Sequence, residues 1–103
     1  MTLDEYEKEA MRTSTPRSFL PEVMALGLCG ESGEFADLVK KDLAQGHPLD
    51  VNKALRELGD VLWYVAGAAC VLGSSLEQVA RLNIDKLRAR YPDGFSTERS
   101  LNR

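Results

Sequence analysis

Glu57-Leu58-Gly59-Asp60-Val61-Leu62-Trp63-Tyr64-Val65-Ala66-Gly67-Ala68-Ala69-Cys70-Val71-Leu72 opens on two acids three residues apart, then runs from Val61 to Leu72 without a charge. An uncharged run of about three helical turns has no face that meets water cheaply, so it belongs inside a core or between chains. It is too short to span a bilayer. Upstream, Asp50 is placed to cap a helix from Val51 to Leu72, with Gly73 as its stop. Before it, Pro21 suits the first turn of another helix, which runs to Gln45 and is closed by Gly46 and Pro48. Downstream, Ser74-Ser75-Leu76-Glu77 has the form of a capping box and starts a helix to about Tyr91, ended by Pro92. Thr2-Leu3-Asp4-Glu5 starts a shorter leading helix to about Arg12, and Thr13 to Leu20, with Pro16, reads as a loop. No stretch alternates apolar and polar residues long enough to be a strand. The tail from Asp93 to Arg103 is polar, with Phe95 as one aromatic anchor.

The expected fold is therefore all-α, a bundle of three main helices plus a short N-terminal one. With 103 residues there is room for a single domain, 1–103. Three long helices in so short a chain cannot surround one of their own, and Ala66, Gly67, Ala68 and Ala69 permit close helix approach. We expect the core to be completed by oligomerisation, as a homodimer or homotetramer. Thirteen Lys and Arg against sixteen Asp and Glu give a net charge of −3, which argues against duplex nucleic acid as the main partner. The acidic N-terminus lacks the apolar stretch of a secretory signal. Cys29 and Cys70 form no CxxC pair and read as two buried thiols of a cytoplasmic chain rather than a structural disulfide. Neither a signal nor a membrane segment is expected.

Four acids carry the chemistry. Glu31 and Glu34 lie three apart on the second main-chain helix, and Glu57 and Asp60 three apart on the next, so each pair projects from one helix face. The short Gly46-to-Leu49 turn makes the two helices an antiparallel hairpin, which brings both pairs to a similar level. Like charges at this spacing cost about 0.2–0.5 kcal/mol even on an exposed helix, and more where apolar neighbours such as Leu28 and Phe35 limit hydration. A divalent cation resolves that conflict. An all-oxygen donor set suits Mg²⁺, with Mn²⁺ as substitute, and His47 sits in the turn, away from the acids. On the fourth helix Asn83, Lys86 and Arg90 share a face. Lys41 lies two turns past Glu34, Lys53 one turn before Glu57, and Tyr64 one turn past Asp60. Cations, an amide and a ring beside a metal cluster would serve a polyphosphate that carries a base. Gly27, Gly30 and Gly33 do not form a phosphate loop, since no strand precedes them; they let a backbone or a ligand come close. Trp63 reads as a core or interface residue, with base stacking as the minor alternative.

Glu31-Ser32-Gly33-Glu34 followed by Glu57-Leu58-Gly59-Asp60 resembles the ExxE…ExxD signature of the MazG-like, all-α nucleoside triphosphate pyrophosphohydrolases. The likeness extends through Gly27-Leu28-Cys29-Gly30-Glu31, Lys40-Lys41, the Glu57-to-Tyr64 run, Asn83-Ile84-Asp85-Lys86-Leu87 and Arg90-Tyr91-Pro92-Asp93-Gly94-Phe95, roughly Leu26 to Phe95. The resemblance implies Mg²⁺-dependent hydrolysis of a nucleoside or deoxynucleoside triphosphate to the monophosphate and pyrophosphate, by attack of water at the α-phosphorus. It implies Glu31, Glu34, Glu57 and Asp60 as metal ligands, one of the glutamates holding the attacking water. Asn83 and Lys86 would contact the nucleotide, Lys86 on phosphate, with Arg90 as a helper. It also implies a dimer or tetramer with sites near subunit contacts. Two other readings remain: a non-catalytic oligomeric helical module that binds a nucleotide or partner around a structural cation, and a phosphoribosyl-ATP pyrophosphatase.

Overall fold

The computed structural model describes all residues, Met1 to Arg103. It contains five helices and no strand: α1 (Leu3–Met11), α2 (Pro21–Gln45), α3 (Val51–Val71), α4 (Leu76–Arg90) and α5 (Thr97–Leu101). The expected starts and stops are those observed at most ends. Thr2 Oγ1 accepts from the Glu5 N–H and Asp50 Oδ1 from the Lys53 N–H, both at 3.1 Å. Gly46 closes α2 in the left-handed region at φ 69°, a conformation that costs a side-chain-bearing residue heavily.

Three expectations are corrected. The N-cap of α4 is Ser75, not Ser74, and its hydroxyl accepts from the Gln78 N–H at 3.1 Å. Ser74 is already used in closing α3, since its N–H is donated to the Ala69 carbonyl. The tail is not wholly irregular: Ser96 caps the five-residue α5. Phe95 does not anchor it in a core: it is 75% exposed, its ring beside Tyr91 with centroids 5.3 Å apart, at the edge of a hollow shared with Ile84 and Leu87.

The helix α2 packs on α3 as an antiparallel hairpin, and three close approaches set its register. Met24 lies on Gly67, Gly27 under the Tyr64 ring, and Glu31 beside Asp60, so each step forward on α2 is one step back on α3. At Gly67 a Cβ would meet Met24 Sδ at 2.5 Å, and at Gly27 it would clash with the Tyr64 ring. Those two glycines let the helices touch. Gly30 and Gly33, by contrast, face open space within the chain. Helix α1 lies across α3 and α4. It is pinned at its middle by Glu7, whose carboxylate accepts from the Leu76 N–H at 2.7 Å and so caps α4 from outside.

The fold is open. Helix α4 departs from α3 at 97°. Only Met24, Ala54, Ala66, Gly67, Ala69 and Leu76 are buried, while Leu82 on α4 is 59% and Leu55 on α3 59% exposed. The radius of gyration is 16.5 Å, against roughly 13 Å for a compact chain of this length. The accessible surface is 7637 Å², where a closed monomer of this mass shows about 5,800 Å². Cys29 is exposed and Cys70 half-buried, which corrects the expectation of two buried thiols; both are free. Burial, then the charge of Glu7 and a hydrogen bond with it, push the Cys70 thiol up. No single helix is long and apolar enough to cross a membrane.

Candidate active site

Along the α2–α3 seam, the apolar layer of Met24 and Gly67 gives way two turns later to acids. Glu31, Glu57 and Asp60 each bring a carboxylate oxygen within 4.8 Å of the others. Glu31 and Glu57 are half-buried and Asp60 is exposed. The crowding registers on Glu31, whose carboxyl is held above the usual carboxylate range. Lost hydration comes first, then the charge of Asp60, a hydrogen bond with Glu57, and the charges of Glu57 and Glu34. By the hairpin register Glu34 is level with Glu57, but its carboxyl is not in the tight group. The donors are carboxylate oxygens only, with neither thiol nor imidazole in the group, so the set could hold a hard divalent cation such as Mg²⁺ or Mn²⁺.

Beside the acids is an open cavity of about 340 Å³ lined by Thr13, Glu31, Asp60, Trp63 and Tyr64. Tyr64 therefore sits where the sequence places it, one turn past Asp60 and next to the carboxylates. Trp63 and Tyr64 meet edge to face, centroids 4.9 Å apart at 76°. The Trp63 indole N–H is shared between the Ala10 carbonyl at 3.0 Å and Thr13 Oγ1 at 2.8 Å. Helix α1 reaches the acids through Tyr6 as well, whose hydroxyl is held above its ordinary value by burial first and the Asp60 charge second. No local sequence signal connects α1 to this site, and its contribution went unread.

The cations are distributed differently. Lys41 is ion-paired to Asp37 at 2.8 Å, with Lys40 on the other oxygen of the same carboxylate at 2.9 Å. Those two hydrogen bonds hold Asp37 down at about 2, and Asp37, with a lesser push from Glu34, raises Lys41. Asp37 is a residue the sequence reading missed, although its i, i+3 and i, i+4 spacing to two lysines was in view. Lys53 is exposed at the start of α3 and engages Asp50 through its backbone N–H. Asn83 and Lys86 line a separate apolar groove of about 520 Å³, with Leu3, Leu62, Val79 and Leu82. Arg90 lines a third hollow beside α5, with Arg99 donating to its carbonyl. Asn83, Lys86 and Arg90 thus share a helix but not one cavity.

The family model of the MazG nucleotide pyrophosphohydrolase domain matches residues 19–95, three quarters of the chain. The chain belongs to the MazG family. Among curated relatives, it is 41% identical over 75 residues to the Gene 37 protein of Mycobacterium phage L5. That match covers 69% of this chain and 66% of the phage protein, just under two thirds of the latter's length. No solved structure is a significant match. All four acids, Asn83, Lys86 and Arg90 fall inside the MazG span. Tyr6, Glu7 and Thr13 fall outside it, and of these Thr13 lines the acidic cavity.

Proposed function

We propose that this MazG domain hydrolyses a nucleoside or deoxynucleoside triphosphate to the monophosphate and pyrophosphate. The observation that carries the proposal is the convergence of Glu31, Glu57 and Asp60 at a helix seam that a protein built only for stability would fill with apolar side chains. These three would hold Mg²⁺, or Mn²⁺ in its place, which when bound supplies positive charge for the triphosphate and a Lewis acid at the reacting oxygens. Glu34 stands one helical turn from Glu31 and outside the tight group. Its carboxylate is therefore the one left to orient the attacking water and take its proton. Water attack at the α-phosphorus makes pyrophosphate the leaving group. Lys86, with Asn83 beside it, would supply fixed charge and a hydrogen-bond donor to the phosphates, which is preorganised stabilisation of the kind that lowers such barriers most. Arg90, Lys41 and Lys53 would add positive potential at the rim, and Tyr64 a wall next to the carboxylates.

The assembly belongs to the same reading. The excess of about 1,800 Å² over a closed monomer is what one protomer buries in an obligate interface, and exposed apolar side chains on α3 and α4, Leu55 and Leu82 among them, are part of it. A homodimer or homotetramer built through that face would place the sites near subunit contacts. We place the protein in the cytoplasm, where its substrate is made.

The test is a panel of ribo- and deoxynucleoside triphosphates with Mg²⁺, with and without chelator, the products resolved by ion-exchange chromatography. Monophosphate plus pyrophosphate, lost on chelation, is the expected result. Diphosphate plus phosphate would mean attack at another phosphorus and would overturn the proposal. Metal-dependent stability with no turnover would leave a binding module, and turnover of phosphoribosyl-ATP alone would move the activity to that substrate.

A further inference from the structure

Thr13, in the turn after α1, precedes the MazG span, yet it lines the acidic cavity. The contact is specific. Trp63, the chain's one tryptophan, donates its indole N–H to Thr13 Oγ1 at 2.8 Å and to the Ala10 carbonyl at 3.0 Å. Thr13 in turn donates its hydroxyl proton to the same Ala10 carbonyl at 2.8 Å. The three groups form a closed ring at the C-terminal end of α1, where the Ala10 carbonyl also accepts from the Thr13 N–H at 3.1 Å. An indole held at two acceptors keeps its orientation, and it holds Tyr64 edge-on beside it. The same cavity is thus lined by two aromatic rings as well as by a hydroxyl and two carboxylates.

We propose that Thr13 is a positioning residue: by anchoring the Trp63 indole it holds the aromatic wall against which the sugar and base of the substrate nucleotide lie. The wall acts on the uncharged end of the substrate, while the carboxylates act on the phosphates. Thr13 itself need not touch the nucleotide. The inference rests on the proposed hydrolytic reading, deepens it by assigning the base end of the site, and gives the α1 segment a role that its absence from the matched span conceals.

The test compares Thr13→Val, which keeps the β-branched shape and removes the hydroxyl, with Thr13→Ser, which restores it. Losing one of two acceptors on a positioning bond is expected to raise the nucleotide KM of Thr13→Val about 3- to 10-fold, with kcat within about twofold. Inorganic tripolyphosphate, which has no sugar or base, should inhibit wild type and variant with the same Ki. Trp63 emission should shift to the red and become more open to acrylamide quenching in Thr13→Val. Thr13→Ser should return all these readings to wild-type values. An unchanged KM in Thr13→Val, or an equal weakening of tripolyphosphate and nucleotide, would overturn the inference while leaving the hydrolytic reading intact. A wild-type protein that turns over no triphosphate would remove that reading instead, and circular dichroism of each variant separates misfolding from both.

Discussion

A methyl group added to α2 should have opposite effects at two glycines three residues apart. At Gly27 the new Cβ would clash with the Tyr64 ring, whereas at Gly30 it meets nothing within 4 Å. Replacing glycine by alanine in a helix interior stabilises by about 1 kcal/mol where space is free. Overpacking a closed contact costs about 1–3 kcal/mol, and the upper end applies when a whole ring must leave its place. Gly27→Ala should therefore lose about 2 kcal/mol net, a fall in Tm of roughly 8–16 °C for a chain of this size. Gly30→Ala should gain about 1 kcal/mol, a rise of roughly 4–8 °C. Differential scanning calorimetry on both proteins at one concentration reads the two shifts. Because Tyr64 lines the cavity with Glu31 and Asp60, Gly27→Ala should also lose triphosphate turnover. Shifts of the same sign in both variants would refute the α2–α3 register from which the site is built.

Glu34→Gln and Asp60→Asn should each keep the helical circular dichroism spectrum and lower kcat by about 10²–10³-fold, the scale of removing one preorganised electrostatic element; steady-state kinetics checks both. Leu82→Lys places a charge on the exposed apolar face of α4 and should convert a multimeric wild type to monomers in sedimentation velocity. Asp37 is held down at about 2 by Lys41 and Lys40, so its stabilising contribution is present above its ordinary value near 3.8 and is lost as pH falls toward 2. Asp37→Asn should accordingly melt slightly lower than wild type at neutral pH, by a small margin because the pair is largely exposed, and the two Tm-against-pH curves should converge as pH falls toward 2.

The helices were legible because their ends are marked by local chemistry. Thr2, Asp50 and Gly46 act through hydrogen bonds or dihedral angles of their own residues. The start of α4 was misread by one position because two competing claims meet there. Ser74 is spent on the α3 terminus, and Glu7, nearly seventy residues away, reaches the Leu76 N–H. The acids were legible for a similar reason: a three-residue spacing on each of two hairpin helices already fixes their face and level. What that spacing leaves open is which three carboxylates draw tight, since this depends on side-chain reach across the seam. The part played by α1 was invisible, because Thr13 and Trp63 are fifty residues apart and joined by a single indole proton. The openness of α4 is a tertiary angle, 97°, that no local pattern encodes.

The central claim is that the seam carboxylates repel one another until a cation joins them. Thermal melts of wild type and Glu31→Gln, each metal-free and with saturating Mg²⁺ at neutral pH, test it directly. Glu31 binds its proton more tightly in the folded chain than its ordinary value allows, so the ionised form costs stability once the pH lies above that range. Metal-free Glu31→Gln should melt higher than metal-free wild type, and Mg²⁺ should raise the wild type, by about 2.7 kcal/mol at a hundred times Kd, while hardly moving the variant. Equal melts without metal, or equal Mg²⁺ shifts in both proteins, would contradict it.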